Sequence, residues 1–152
     1  MASGQRHPDF VIVCDHGGRG GQLDRVARLP WFADRPGWWG AESVDEAAIR
    51  IWAMEGEERG HDPKWFRPEW TSPDEPDLRR LAIEIICTAP HCSRRSYRSD
   101  DDKLQTLLTM IATDDRFRAV FTIEASESVI VMTLDQLEMA RDAACTRLHL
   151  DI

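Results

Sequence analysis

The chain has 152 residues, a formal charge of −8, and 42% apolar against 30% charged residues. That is the size and composition of one globular domain able to fold without disulfides, and its acidity disfavours broad electrostatic capture of nucleic acid or anionic membrane. No run of about 18 apolar residues occurs and the first residues, Met1-Ala2-Ser3-Gly4, lead into no signal-peptide core, so a cytoplasmic protein with no membrane partner is expected.

Phe10-Val11-Ile12-Val13-Cys14 is an apolar, largely β-branched run closed by Asp15-His16-Gly17-Gly18, which predicts a buried strand ending in a turn. Leu23 to Leu29 alternates, with Leu23, Arg25, Ala27 and Leu29 on one face and Asp24, Val26 and Arg28 on the other, the pattern of an edge strand. Residues 30–42 set Trp31, Phe32, Trp38 and Trp39 among Pro30, Pro36, Gly37 and Gly40, a loop or irregular hairpin. Ser43-Val44-Asp45-Glu46 has the form of a capping box, and Val44, Ala47, Ala48, Ile51 and Trp52 follow at helical spacing, predicting a helix over 44–58.

Residues 61–77 carry Pro63, Pro68, Pro73 and Pro76 with Trp65, Phe66 and Trp70 between them, and no period survives. This reads as a loop or linker between two subregions, 1–60 and 78–152, of a single domain. Leu81 to Cys87 is a second apolar strand that delivers a cysteine at its end, as the first does. Ser99 to Asp102 reads as a helix cap, with Leu104, Leu107, Leu108 and Ile111 as the stripe of a helix over 100–113. Phe117 to Ala125 and Val129 to Met132 read as strands around Ser126-Glu127-Ser128, and the T-x-x-Q box at Thr133–Gln136 opens a helix over 134–148. The sum is an α+β fold: a small mixed or antiparallel sheet with about three helices and zinc-ribbon-like knuckles at two strand ends.

Those knuckles carry the clearest chemical signal. Structural zinc takes Cys thiolates and His imidazoles, commonly as two close pairs from separate tight turns. Cys14-x-His16 and Cys87-x4-Cys92 are such pairs, each just past an apolar strand, and adjacent strands ending at one edge would unite them. Gly17 and Gly18 can supply positive φ, and Pro90 stiffens the second turn. His91 competes with Cys92 as fourth ligand, since Cys87-x3-His91 also closes a chelate. Unliganded buried thiols, a redox pair or a disulfide are the rival readings. Cys145 falls near the apolar face of the last helix and reads as core.

A catalytic zinc would keep one position open beside a base, for which Asp15 is the local candidate; four protein ligands favour a closed, structural site. Asp15 and His61 could be polar groups of a cleft, but no H-E-x-x-H, no H-x-E with P-C-x-x-C and no G-x-S-x-G occurs, so no enzyme is expected. Gly17 to Gly21 lacks the lysine and serine of a phosphate loop and reads as a flexible turn. Arg94, Arg95 and Arg98 with Tyr97 could touch nucleic acid, although Asp100 to Asp102 follows at once and cancels much of their field. All six tryptophans lie between residues 31 and 70, where they seal irregular segments against the core or present a partner surface.

The run from Cys87 and Cys92 through Arg94-Arg95 into Leu104-Gln105-x-Leu107-Leu108 resembles small uncharacterised proteins of actinobacteria and their phages, mainly over residues 81–112. The resemblance names no activity and implies an accessory role in phage or host. The expected function is a zinc-stabilised protein-interaction module using Trp65, Phe66 and Trp70, with a modulator of a host protein as one form of it. The alternatives are a nucleic-acid or transcription accessory factor, working through the three arginines, and a virion structural protein.

Overall fold

The strand β1 (Asp9–Cys14) buries Phe10, Ile12, Val13 and Cys14, which fits its apolar run from Phe10, and it lies inside the larger of the sheets. The computed structural model describes residues 7–16, 23–32, 38–43, 49–52, 58–61, 64–65, 82–89, 92 and 96–147. It shows an α+β fold. In that larger sheet β1 pairs in parallel with β12 (Val129–Thr133) and antiparallel with β2 (Asp24–Leu29); β5 (Ala41–Ser43) and β8 (Lys64–Trp65) extend it on one side and β11 (Glu124–Ala125) on the other. The order β11-β12-β1-β2-β5-β8 therefore makes a mixed sheet.

A second, antiparallel sheet runs β10-β9-β6-β7, built from β6 (Ile49–Trp52), β7 (Glu58–His61), β9 (Ala82–Ile86) and β10 (Ser96–Asp100). A small ladder joins β3 (Trp31–Phe32) to β4 (Trp38–Trp39), the hairpin alternative for residues 30–42. Three helices are described: α1 (Asp101–Thr113), α2 (Asp115–Phe121) and α3 (Leu134–Arg147). One apolar cluster is shared by both sheets and the helices, including Phe10 and Ile12 of β1, Ile83 and Ile85 of β9, and Leu107 and Leu137 of α1 and α3. Each such side chain, fully buried, contributes about 1.5–3 kcal/mol from the apolar area it removes from water.

Several expectations are corrected. The helix over 44–58 does not form where the chain is described, since Ile49–Trp52 and Glu58–His61 are strands; residues 44–48 and 53–57 lie outside the described residues. Ile49 and Ile51 are in register with Ile85 and Ile83 of β9, so strand pairing wins over the helical spacing that Ile51 and Trp52 also satisfy. The strand expected from Phe117 is a helix as far as Phe121. The Asp114 carboxylate accepts the amides of Arg116 and Phe117, capping α2, and Phe117 and Phe121 bury one face four residues apart.

Ser99 is not the cap of α1. It belongs to β10, an unanticipated strand, and Asp100 stands at the cap position. The box at the start of α3 forms as expected: Gln136 N donates to Thr133 Oγ1 at 2.9 Å and Thr133 N to Gln136 Oε1 at 2.9 Å.

Nor is β2 an edge strand, since β1 and β5 flank it. Its pairing with β1 shifts between Ile12, opposite Ala27, and Val13, opposite Arg25, which leaves Val26 as an extra residue. This β-bulge breaks the two-residue alternation, so Val26 and Ala27 are both buried although a regular strand would point them to opposite faces.

Candidate metal centre

β1 ends at Cys14 and β9 ends one residue before Cys87, and the topology brings these ends together. One ligand atom from each of Cys14, His16, Cys87 and Cys92 lies within 4.8 Å of all the others. Cys14 Sγ is 3.7 Å from Cys92 Sγ, and Cys87 Sγ is 3.7 Å from His16 Nδ1. Around a tetrahedral zinc with standard bond lengths, two sulfurs stand about 3.8 Å apart and sulfur and nitrogen about 3.6 Å. These two edges are close to that tetrahedron, and both are too long for a covalent link. None of the four cysteines is in a disulfide.

The two knuckles share a local design. In the first, His16 N donates to Cys14 Sγ at 3.4 Å; in the second, the Ala89 amide hydrogen-bonds the Cys87 sulfur. Each cysteine thus accepts from the amide two residues on, which turns the chain sharply and stabilises negative charge on sulfur. Cys92 N donates to the Ala89 carbonyl at 3.0 Å, a turn that carries Cys92 back toward Cys87. The positive φ of the first turn is carried by His16 itself, at 53°. Histidine visits this left-handed region more readily than most side chains. Gly17, Gly18 and Pro90, expected to shape the turns, lie outside the described residues.

His16 is held from its far side by Asp24, whose Oδ2 lies 2.7 Å from Nε2. A carboxylate there fixes the tautomer: Nε2–H donates to Asp24, and the Nδ1 lone pair is left facing the sulfurs. The β2 bulge supplies this partner. Cys14 pairs with Asp24 across the ladder, whereas an unbulged continuation of the Ile12–Ala27 register would set Arg25 there. Asp24 was not singled out in the sequence, because its role depends on a register that no local pattern states.

Burial pushes the Cys14 thiol from 9.0 up to about 12, against the lowering effect of the His16 amide, and the Cys92 and Cys87 side chains add to the rise. Burial likewise raises Cys87. His16 is raised by the Cys92 side chain first and Asp24 second, both of which favour the imidazolium. A cation among the sulfurs would reverse these preferences, replacing protons on the thiols and favouring neutral imidazole.

Cys14 and Cys87 are 1% and 2% exposed and His16 6%, while Cys92 is only part-buried. His91, the rival ligand, lies outside the described residues, as do Phe66, Trp70, Arg94 and Arg95. Trp65 belongs to β8, and the rest of 66–77 lies outside the described residues. Arg98 is an exposed residue of β10. Asp15, between Cys14 and His16 in the chain, is half-buried, and His61 pairs with Arg50 in the second sheet. Cys145 is half-buried on α3 and is not one of the four.

Of the tryptophans, Trp39 is core at 2% exposure. Its indole N–H donates to the Pro8 carbonyl, and the Gln105 side chain bonds both its amide and its carbonyl, tying β4 to α1. Trp31 packs on Trp39 with ring centroids 4.6 Å apart. These two seal the core. No helix among the described residues is long and apolar enough to cross a membrane. No protein-family model, curated protein or solved structure matches the chain significantly.

Proposed function

We propose that the chain is a zinc-stabilised protein-interaction module in which Cys14, His16, Cys87 and Cys92 hold one structural zinc ion. The observation that carries this reading is the mutual approach of four soft donor atoms, all within 4.8 Å, from two chain segments about seventy residues apart. Four protein ligands fill a tetrahedron and leave no position for water or substrate, so the ion contributes stability rather than chemistry. The carboxylate behind His16 supports the reading, because a carboxylate that accepts the far N–H of a metal-bound imidazole orients the ring.

Function then belongs to the surface that the clasp supports. The net charge of −8 favours a neutral or basic protein partner over nucleic acid, and large apolar side chains are exposed at Val120, Ile123 and Met139. With the resemblance of residues 81–112 to small phage and actinobacterial proteins, the module would act as an accessory that modulates a host protein.

Cobalt substitution tests the metal reading. One Co(II) per chain should give the intense visible bands of a tetrahedral ion and a thiolate charge-transfer band that weakens in Cys14→Ser. Weak octahedral bands would reject the ligand set. For the partner, capture from host lysate should be lost in a Trp65→Ala/Trp70→Ala variant; retained capture removes that segment from the interface.

A further inference from the structure

The four ligands are unequal in their access to solvent. Cys14, Cys87 and His16 are buried, whereas Cys92 is part-buried, and the Cys92 sulfur stands 3.7 Å from that of Cys14, a residue 78 positions away. We infer that Cys92 is an oxidative modification site, through which a peroxide converts the metal clasp into a Cys14–Cys92 disulfide. This rests on the zinc reading.

Thiolate character and exposure together select which cysteine reacts, and ligation keeps sulfur as thiolate. The Cys92 sulfur attacks one oxygen of hydrogen peroxide, the O–O bond breaks, and Cys92 becomes a sulfenic acid while the other oxygen leaves as hydroxide. The Cys14 sulfur then attacks the Cys92 sulfur, an S–S bond forms, and the sulfenic oxygen leaves as hydroxide. Two protons convert the two hydroxides to water. Two thiolates are thereby oxidised by two electrons and one peroxide is reduced. His16 and Cys87 remain as two ligands, too few for a closed zinc site, so the ion is released.

Cys14 is the resolving partner because its sulfur stands 3.7 Å from the Cys92 sulfur; the Cys87 sulfur, which also interacts with Cys92, lies 3.7 Å from His16 Nδ1. The consequence is a clasp that changes its chemistry while still joining the end of β1 to the turn after β9. A metal cluster with all its sulfurs buried would have no such entry point.

The experiment uses the full-length, zinc-loaded chain carrying Cys145→Ser, so that the reacting thiols are those of the cluster. Hydrogen peroxide is added, released zinc is followed with a colorimetric chelator, and intact mass and non-reduced peptide maps are recorded. Expected are a rise from no free zinc to about one equivalent, a mass lower by two hydrogens, a Cys14–Cys92 linked peptide, and recapture of zinc after a thiol reductant. Zinc retained under peroxide, release without a mass change, or a Cys87–Cys92 link would overturn the inference and leave the zinc reading standing. A purified chain that holds no zinc before peroxide would overturn both.

Discussion

Asp24 and Cys14 face one another across the β1–β2 ladder, and the Asp24 carboxylate, 2.7 Å from His16 Nε2, gives the most specific expectation at the scale of single residues. Asp24→Asn keeps the size but loses the charge that holds the His16 tautomer. Zinc affinity, measured by competition with a chelating dye, should fall by about 10–100-fold with the stoichiometry unchanged; an unaltered affinity would mean that Asp24 serves only the fold. The raised pKa values set a pH dependence for the metal-free chain. A folded-state Cys14 thiol near 12, against an ordinary 9.0, contributes stability that is full below pH 9.0 and is lost as pH rises toward 12. His16, also raised, contributes stability that is full below its ordinary 6.5 and fades as pH passes its elevated value. Zinc reverses the trend, because acid must protonate the ligands to release the ion. Denaturant melts across pH, with and without zinc, should therefore slope in opposite directions on the acid side.

Among the elements, the caps and the bulge are the features whose removal has a local and measurable cost. Thr133→Ala breaks the reciprocal pair at the start of α3 and Asp114→Ala uncaps α2; each should lower unfolding free energy by about 1 kcal/mol in urea. Leu108→Ala in the stripe of α1 should cost about 2–5 kcal/mol through the cavity it leaves. Deleting Val26 would remove the bulge yet keep Asp24 opposite Cys14, so zinc affinity should fall less than in Asp24→Asn; a Val26→Ala control separates lost packing from the lost bulge. These elements also show what could be read from sequence. β1, β9, α1 and α3 were legible because their apolar runs or stripes are unambiguous and, for α3, because the box at Thr133 and Gln136 is local chemistry. β6 is hidden in the sequence because Ile51 and Trp52 fit a helical spacing as well as a strand, and only the β9 partner decides between them. α2 looks like a strand in the sequence because Phe117, Ala119 and Phe121 alternate, while the deciding contact is the Asp114 cap. The edge placement of β2 failed because neighbours in a sheet are long-range facts.

Across the whole molecule, the candidate site links two sheets. Cys14 ends the larger sheet's β1 and His16 follows it, Cys87 and Cys92 follow the smaller sheet's β9, and the shared core contains both Cys14 and Cys87. The Cys/His cluster is legible because each cysteine turn closes an apolar strand, but the convergence of those strand ends and the carboxylate behind His16 are properties of the folded chain alone. Since a structural ion bound to the folded state adds its binding free energy to folding, removing it with a chelator should lower the melting temperature and loosen the junction between the sheets. The most direct measurement is the zinc-to-protein ratio of chain purified without chelators, alongside Cys14→Ser and Cys87→Ser variants. One zinc per wild-type chain, with loss in both variants, is the expected result; less than about half an equivalent in the wild type under conditions that do not strip metal would contradict the metal centre.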